Sequence, residues 1–251
     1  MGSAMVAGVL PATVHQGPYA ARITRDPRDV TEAQRLRYRV FAEELGARID
    51  GGPDADEFDE HCDHLVVTHT PTGELVGTYR LLQPGRSAGL YSQSEFAMDA
   101  LTSLRSELVE AGRSCVHPEH RSGAVITLMW SLLAQYAQAS GVNYLAGCAS
   151  VPLADGGHAA STMLALTERH SAPEEFGVRP LCPWQGRPVT RPSYAHLPPL
   201  LRGYLRLGAW VCGPPAYDPA FEVADFFVLL QWNRVDARYL RYFLPTQGGN
   251  R

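Results

Sequence analysis

The chain has 251 residues, 45% of them hydrophobic, which suits one large domain, or one domain with an extension, around a closed core. A formal charge of −4 supplies no field that would hold a polyanion, so nucleic acid is not an expected partner. All 22 basic residues are arginine, which excludes Schiff-base lysine chemistry and a Walker-type phosphate loop.

From the N-terminus, residues 1–18 read as a flexible lead. Asp29 or Thr31 can cap a helix whose apolar positions Val30, Ala33, Leu36, Val40, Phe41 and Leu45 recur at helical spacing and stop near Gly46. After a polar loop, His64–Thr68 and Leu75–Leu82 flank Pro71-Thr72-Gly73-Glu74 and read as a hairpin. Met98–Arg105 is expected as a short helix and Leu108–Val116 as a strand. Gly123–Ser140 follows as a long helix, with Val125, Leu128, Met129, Leu132, Leu133 and Tyr136 on one stripe. Asn143–Ala149 is the next strand and Ala159–Arg169 a helix. Between Ser171 and Pro199 prolines and glycines thicken, as in long functional loops. Leu200–Gly208 reads as helix, Ala224–Gln231 as strand and Ala237–Leu244 as a final short helix. The whole predicts an α/β (α+β) domain over residues 19–235, with a mixed, mostly antiparallel central sheet flanked by helices, a C-terminal elaboration, and a helix and tail over residues 236–251.

The five cysteines are widely spaced, odd in number and form no C-x-x-C pair, so a reducing cytoplasm is the expected compartment. No apolar run reaches 18 residues and the first ten residues carry no basic leader, so neither a membrane span nor secretion is expected.

The chemistry concentrates between Val109 and Met129. There a strand carrying Glu110 and Arg113 runs through Cys115-Val116-His117-Pro118 into Arg121-Ser122-Gly123 and the start of the long helix. A carboxylate, extended backbone amides and a helix N-terminus in one short span can hold a phosphate-bearing thioester arm while a base deprotonates an amine. On this reading the protein is an N-acyltransferase. Glu110 is the candidate base, because burial on a central strand would raise its pKa toward the working range; the alternative is that it pairs with Arg113 and orders the strand. Backbone amides near Val116 and His117 would polarise the thioester carbonyl if the strand bulges there. His158 and Ser161 are available for the leaving thiolate, but surface or packing roles suit them better. His61-Cys62-Asp63-His64 resembles a metal cluster only in composition, since alternating side chains on a strand point apart. No metal is expected. Leu197–Leu201 with Tyr204, Leu205 and Trp210 would form core or line an acyl tunnel.

Arg37–Phe41, Asp56–His64, Gly77–Leu82, Glu110–Pro118 and Arg121–Gly123 follow, in order, the motifs of ornithine N-acyltransferase-like proteins. These are members of the GNAT acyltransferase superfamily, sometimes labelled hemolysin-like, and are distantly similar to acyl-homoserine lactone synthases. The resemblance covers residues 20–232. It implies a GNAT fold, no tightly bound cofactor, an acyl-phosphopantetheine donor borne by acyl carrier protein or coenzyme A, and a small amine acceptor such as ornithine. It also implies donor contacts at Val116, His117, Arg121, Ser122, Gly123, Ala124 and Val125, and acceptor contacts at Arg37, Phe41, Asp56, Asp59, Arg80, Arg113, Cys148 and Ser150. Only Arg121, Gly123 and Ala124 match the glycine-rich phosphate loop of many GNAT proteins, which favours a carrier protein's single phosphate over the diphosphate of coenzyme A. Arg121, Arg169, Arg179, Arg187, Arg191, Arg202 and Arg206 would dock an acidic carrier if they cluster. A coenzyme A-dependent acetyltransferase of a small amine and a non-catalytic acyl-thioester-binding module are the competing readings. A peripheral membrane contact is compatible with a lipid-like product, although no basic amphipathic helix argues for one.

Overall fold

The computed structural model describes residues 11–49, 51–121 and 123–236. The expected helix at Ala237–Leu244, the C-terminal tail and Ser122 lie outside these residues. Strands β1 (Val14–Gln16) and β2 (Tyr19–Thr24) lead into helix α1 (Pro27–Tyr38), which passes into a π-helical turn over Arg39–Glu44. The hairpin of β3 (Asp63–His69) and β4 (Glu74–Leu82) follows, then a short strand β5 (Phe96–Ala97) and a 3-10 turn at Asp99–Leu104. Next come β6 (Leu108–Val116), α2 (Gly123–Ser140), β7 (Tyr144–Pro152) and α3 (His158–Leu166). The C-terminal part adds β8 (Arg179–Pro180), α4 (Pro199–Arg206), β9 (Trp210–Val211), β10 (Ala216–Asp218) and β11 (Val223–Gln231).

The main sheet runs β1-β2-β3-β4-β6-β7-β11-β10, with β9 also paired to β11. Every pairing in it is antiparallel except β6 with β7. The predicted mixed, mostly antiparallel sheet flanked by helices is therefore the observed one. Leu81 and Leu82 are neighbours on β4 and so point to opposite faces. Leu81 joins a core cluster under α2 with Leu65, Val125, Leu128 and Leu132, while Leu82 joins a second cluster with Phe96, Leu101 and Phe227. A third cluster seats α3 and α4 against β7 and β11 through Val151, Met163, Leu201, Leu205 and Phe226.

Three expectations change. Val14–Gln16, read as part of a flexible lead, is paired with Tyr19–Ala21 across a turn at Gly17, whose φ of 56° suits glycine. Helix α1 starts earlier than expected, because Asp26 accepts from the Arg28 amide and Pro27 fills the first helical position; Asp29 instead pairs with Arg22 at 2.6 Å. The helix also ends earlier, since the α pattern gives way to the π turn at Arg39. As expected of the His61–His64 stretch, its side chains diverge. His61 is exposed, Asp63 binds Arg25, Arg86 and Tyr136, and His64 Nε2 meets the Asp59 carbonyl at 3.1 Å.

Candidate active site

Strands β6 and β7 pair only from Leu108–Glu110 to Tyr144–Ala146 and then separate. Gly147, the first β7 residue past the pairing, sits so close to β6 that a Cβ there would lie 2.2 Å from the Ala111 carbonyl oxygen. Beyond that point a cavity of about 620 Å³ opens, walled by β6, β7, the Tyr91–Glu95 turn, α4 and the segment from Asp218 to Asp225.

Glu110 stands where the strands part, 5% exposed, and its carboxylate faces the Tyr91–Ser94 turn. Its Oε2 accepts from the Tyr91 amide at 2.7 Å, and its Oε1 accepts from the Ser92 amide at 2.9 Å and from the Ser92 hydroxyl at 2.6 Å. It forms no ion pair with Arg113, the alternative that its sequence neighbour suggested. Ser92 Oγ in turn lies 3.3 Å from Cys148 Sγ. Burial raises the Cys148 thiol well above its ordinary value, which keeps it from serving as a nucleophile. Cys115, also buried, is pushed up to about 12.

Against β4, the β6 register shifts so that Tyr79 alone spans the interval from Gly112 to Cys115. This is a bulge at Arg113 and Ser114, and Arg113 takes a left-handed φ of 49° to make it. The bulge expected near Val116 and His117 therefore lies upstream. Val116 is paired with Gly77, and the His117 amide donates to the Val76 carbonyl at 2.8 Å, so that amide is spent on the sheet. Arg113 is held between the Tyr91 and Phe221 rings, 4.7 and 5.0 Å from their centroids, with Asp54 at 3.3 Å and Asp56 at 3.8 Å. Both it and Arg80 line the cavity, as do Phe41, Cys148 and Ser150.

Arg37, Asp56 and Asp59, expected as acceptor contacts, stand behind the wall instead. Arg37 is fully buried, donating to Asp54 at 2.7 Å and to both Asp59 oxygens at 2.8 and 2.9 Å. Arg80 reaches Asp56 at 2.5 Å and Asp59 at 3.5 Å. Burial alone would lift the Asp59 carboxyl, but hydrogen bonds and charge from Arg37, with the charge of Arg80, outweigh it and hold the group well below the usual carboxylate range. Charges consumed in this way position Arg80 and Arg113 rather than touch a ligand.

At the far end of β6, Arg121 is tied to Glu44 by two 2.6 Å hydrogen bonds and donates to the Val116 carbonyl at 3.2 Å. Gly123 and Ala124 open α2 on the accessible side, while the Val125 side chain is in the core, which leaves only its backbone to face a donor. His158 is exposed and meets His196 at 3.2 Å. Within the apolar run, Leu197, Leu201 and Leu205 are buried in core, Pro198, Leu200, Leu201 and Tyr204 border the cavity, and Trp210 lies apart under Arg234.

Sequence reasoning did not find the turn that holds Glu110, the Tyr79–Tyr204 hydroxyl pair, or the carboxylates Glu95, Asp218 and Asp225 on the cavity wall. Asp225 carried a usable signal, as the single charge within the apolar run Val223–Leu230. The Tyr91–Glu95 stretch carried none.

Residues 36–131 match the acetyltransferase (GNAT) domain. The chain is 36% identical over 255 residues to an L-ornithine N(alpha)-acyltransferase of Rhizobium meliloti (strain 1021), covering 90% of this chain and 84% of the relative. It is 35% identical over 253 residues to an L-ornithine N(alpha)-acyltransferase of Brucella abortus (strain 2308), covering 90% and 89%. Among solved structures, FeeM, an N-acyl amino acid synthase from uncultured soil microbes, superposes with a TM-score of 0.51 at 15% identity, covering 86% of this chain and 92% of that one. That likeness is one of fold.

Proposed function

We propose, because this chain belongs to the family of L-ornithine N(alpha)-acyltransferases and is an N-acyltransferase acting on an amino acid, that it moves a fatty acyl group from acyl carrier protein to the α-amine of ornithine or a close relative. The observation that carries this reading is the cavity at the β6–β7 split, which places a buried carboxylate, a strand bulge and an apolar wall around one space.

The acceptor enters with its α-carboxylate toward Arg113, whose guanidinium borders the cavity between two aromatic rings. Glu110 takes the proton from the α-ammonium, directly or through the Ser92 hydroxyl that it already binds. The freed amine forms a bond to the thioester carbonyl carbon, while backbone amides at the Arg113–Ser114 bulge stabilise the charge developing on oxygen. The carbon–sulfur bond then breaks and the thiolate takes a proton. Tyr204 supplies a hydroxyl on that wall, hydrogen-bonded to Tyr79, and burial keeps both phenols protonated. The products are an N-acyl amino acid and a free carrier thiol.

For the donor, Arg121 is committed to Glu44, which suits one phosphate better than two. Exposed arginines at 169, 179, 187, 191 and 206 offer an acidic carrier a basic surface. Mass spectrometry of products from wild type and Glu110→Gln, with acyl carrier protein and coenzyme A donors and a mixed amino-acid pool, tests the proposal. Acylated ornithine from the carrier donor, falling by about 100-fold or more in the variant, is the expected result. Transfer from coenzyme A alone would overturn the donor assignment, and full activity in Glu110→Gln would overturn the base.

A further inference from the structure

Glu95, Asp218 and Asp225 each present a carboxylate oxygen within 4.8 Å of the others, on the same cavity wall as Ser150. None of the three takes part in an ion pair of 4.0 Å or less among the described residues; the neighbouring arginines Arg80 and Arg113 are paired to Asp54, Asp56 and Asp59 instead. Asp225 is 2% exposed, and Ser150 donates to its Oδ1 at 2.6 Å. Asp218 Oδ1 is occupied by the amides of Ala220 and Phe221. Glu95 Oε2 is sealed from solvent and accepts from no amide, hydroxyl or guanidinium donor among the described residues; its side chain shares a hydrogen bond with Asp225, which requires a proton between the two acids. Three carboxylates this close, one almost wholly buried and none beside a guanidinium, are held together by a proton that a cation entering the cavity could replace.

We propose that these three carboxylates bind the terminal ammonium of the acceptor's side chain, making this wall the subsite that selects a diamino acid over neutral amino acids. The inference rests on the amino-acid acyltransferase reading and deepens it. Arg113 lines the same cavity without forming an ion pair with the trio, so an acceptor with a carboxylate at one end and an ammonium at the other finds a partner for each charge. The reactive α-amine then faces Glu110, which connects to the trio through Ser92 and Cys148. An ammonium, with three donors and no acceptor, matches three acceptor groups and leaves nothing unpaired. A methyl in its place would leave the carboxylates desolvated without return, which is the arrangement that discriminates most strongly.

Burial and the neighbouring acids push both Glu95 and Asp225 upward in pKa, so the empty subsite holds protons that an arriving ammonium displaces into solvent. The experiment therefore has two arms on the full-length protein. Steady-state transfer is compared for L-ornithine and L-norvaline, the neutral amino acid that has the same carbon chain and lacks the terminal amine, in wild type, Glu95→Gln and Asp225→Asn. Binding of the same two amino acids is followed by calorimetry in buffers of different ionisation enthalpy. A ratio of kcat/KM for ornithine over norvaline of about 100 or more in wild type, collapsing at least about tenfold in either variant, supports the subsite. So does proton release with ornithine and not with norvaline, a readout that needs no folded variant and no acyl donor. Equal use of the two amino acids by wild type, or ornithine binding with no proton release, overturns it. Ornithine bound with proton release but never acylated would retain the subsite and sink the transferase reading.

Discussion

Two groups of buried charge lie within the same fold and are built on opposite principles. Around Arg37, each carboxylate meets a guanidinium, with Asp54 and Asp59 on Arg37 and Asp56 on Arg80. Around Asp225, three carboxylates face one another. The first group supplies its own countercharge and holds the wall of the cavity. The second withholds it and faces the interior. Buried charge in this protein therefore divides by what faces it, and the carboxylates with no guanidinium beside them are the ones left to meet a cationic group.

The largest effect should come from breaking the satisfied group. Arg37→Ala removes the guanidinium that Asp54 and Asp59 share, leaving each with one longer ion pair, to Arg113 at 3.3 Å and to Arg80 at 3.5 Å, and is expected to destabilise the protein by about 3 kcal/mol in chemical denaturation. A loss under 1 kcal/mol would mean that water enters and solvates the two acids, and the contrast between the groups would fail.

Acid acts on the same network with a defined sign. Asp59 has a folded pKa below its unfolded one, so its contribution is present above the ordinary carboxylate value and is lost as pH falls through the folded value. Unfolding free energies from denaturant curves taken from pH 5 downward should fall by roughly 2 kcal/mol in wild type, and by less in Asp59→Asn.

The unsatisfied group should behave in reverse. Glu95 is raised by burial and by the charges of Asp225 and Asp218, from 4.5 to about 9, so between those values the folded state holds the extra proton and stability declines as pH rises. Glu95→Gln removes that penalty and is expected to gain about 1–2 kcal/mol at pH 8 and little at pH 4. A variant no more stable than wild type at pH 8 would show that the acids already have a countercharge.

The same contrast explains what the sequence made legible. The Leu108–Val116 strand and the Gly123–Ser140 helix match their predicted bounds, because a strong apolar period and clear breakers set them locally. Strand β2 passed unnoticed in Tyr19–Thr24, a short run with two alanines whose burial comes from pairing with β3, a partner some forty residues away. Motif order led to Glu110, Arg113 and Arg80, all of which reach the cavity. It also led to Arg37, Asp56 and Asp59, which do not, because side-chain type cannot distinguish a charge that faces a ligand from one that supports it. Asp218 and Asp225 meet across the β10–β11 hairpin, whereas Glu95 reaches them from the end of the distant Tyr91–Ser94 turn, so no local spacing links all three.

The smallest effect separates the groups most finely. Gln34 donates a neutral hydrogen bond to Asp59 at 3.2 Å, and Ser150 donates one to Asp225 at 2.6 Å. Removing the Gln34 amide leaves Asp59 with both Arg37 contacts, so Gln34→Ala should cost about 0.5 kcal/mol or less, and equally at pH 5 and pH 8. Ser150→Ala takes from Asp225 its hydroxyl donor and leaves it the hydrogen bond shared with Glu95. The Ser150 hydrogen bond lowers the Asp225 pKa against the upward push of burial, so its loss matters most where the carboxylate is ionised. The cost should be about 1 kcal/mol at pH 8 and shrink toward pH 5, with addition of L-ornithine at pH 8 recovering part of it as the ammonium takes over the stranded charge. Denaturation curves for the two variants at both pH values, with and without the amino acid, read all of this directly. A Ser150→Ala loss that is independent of both pH and ornithine would place Asp225 in the same satisfied class as Asp59.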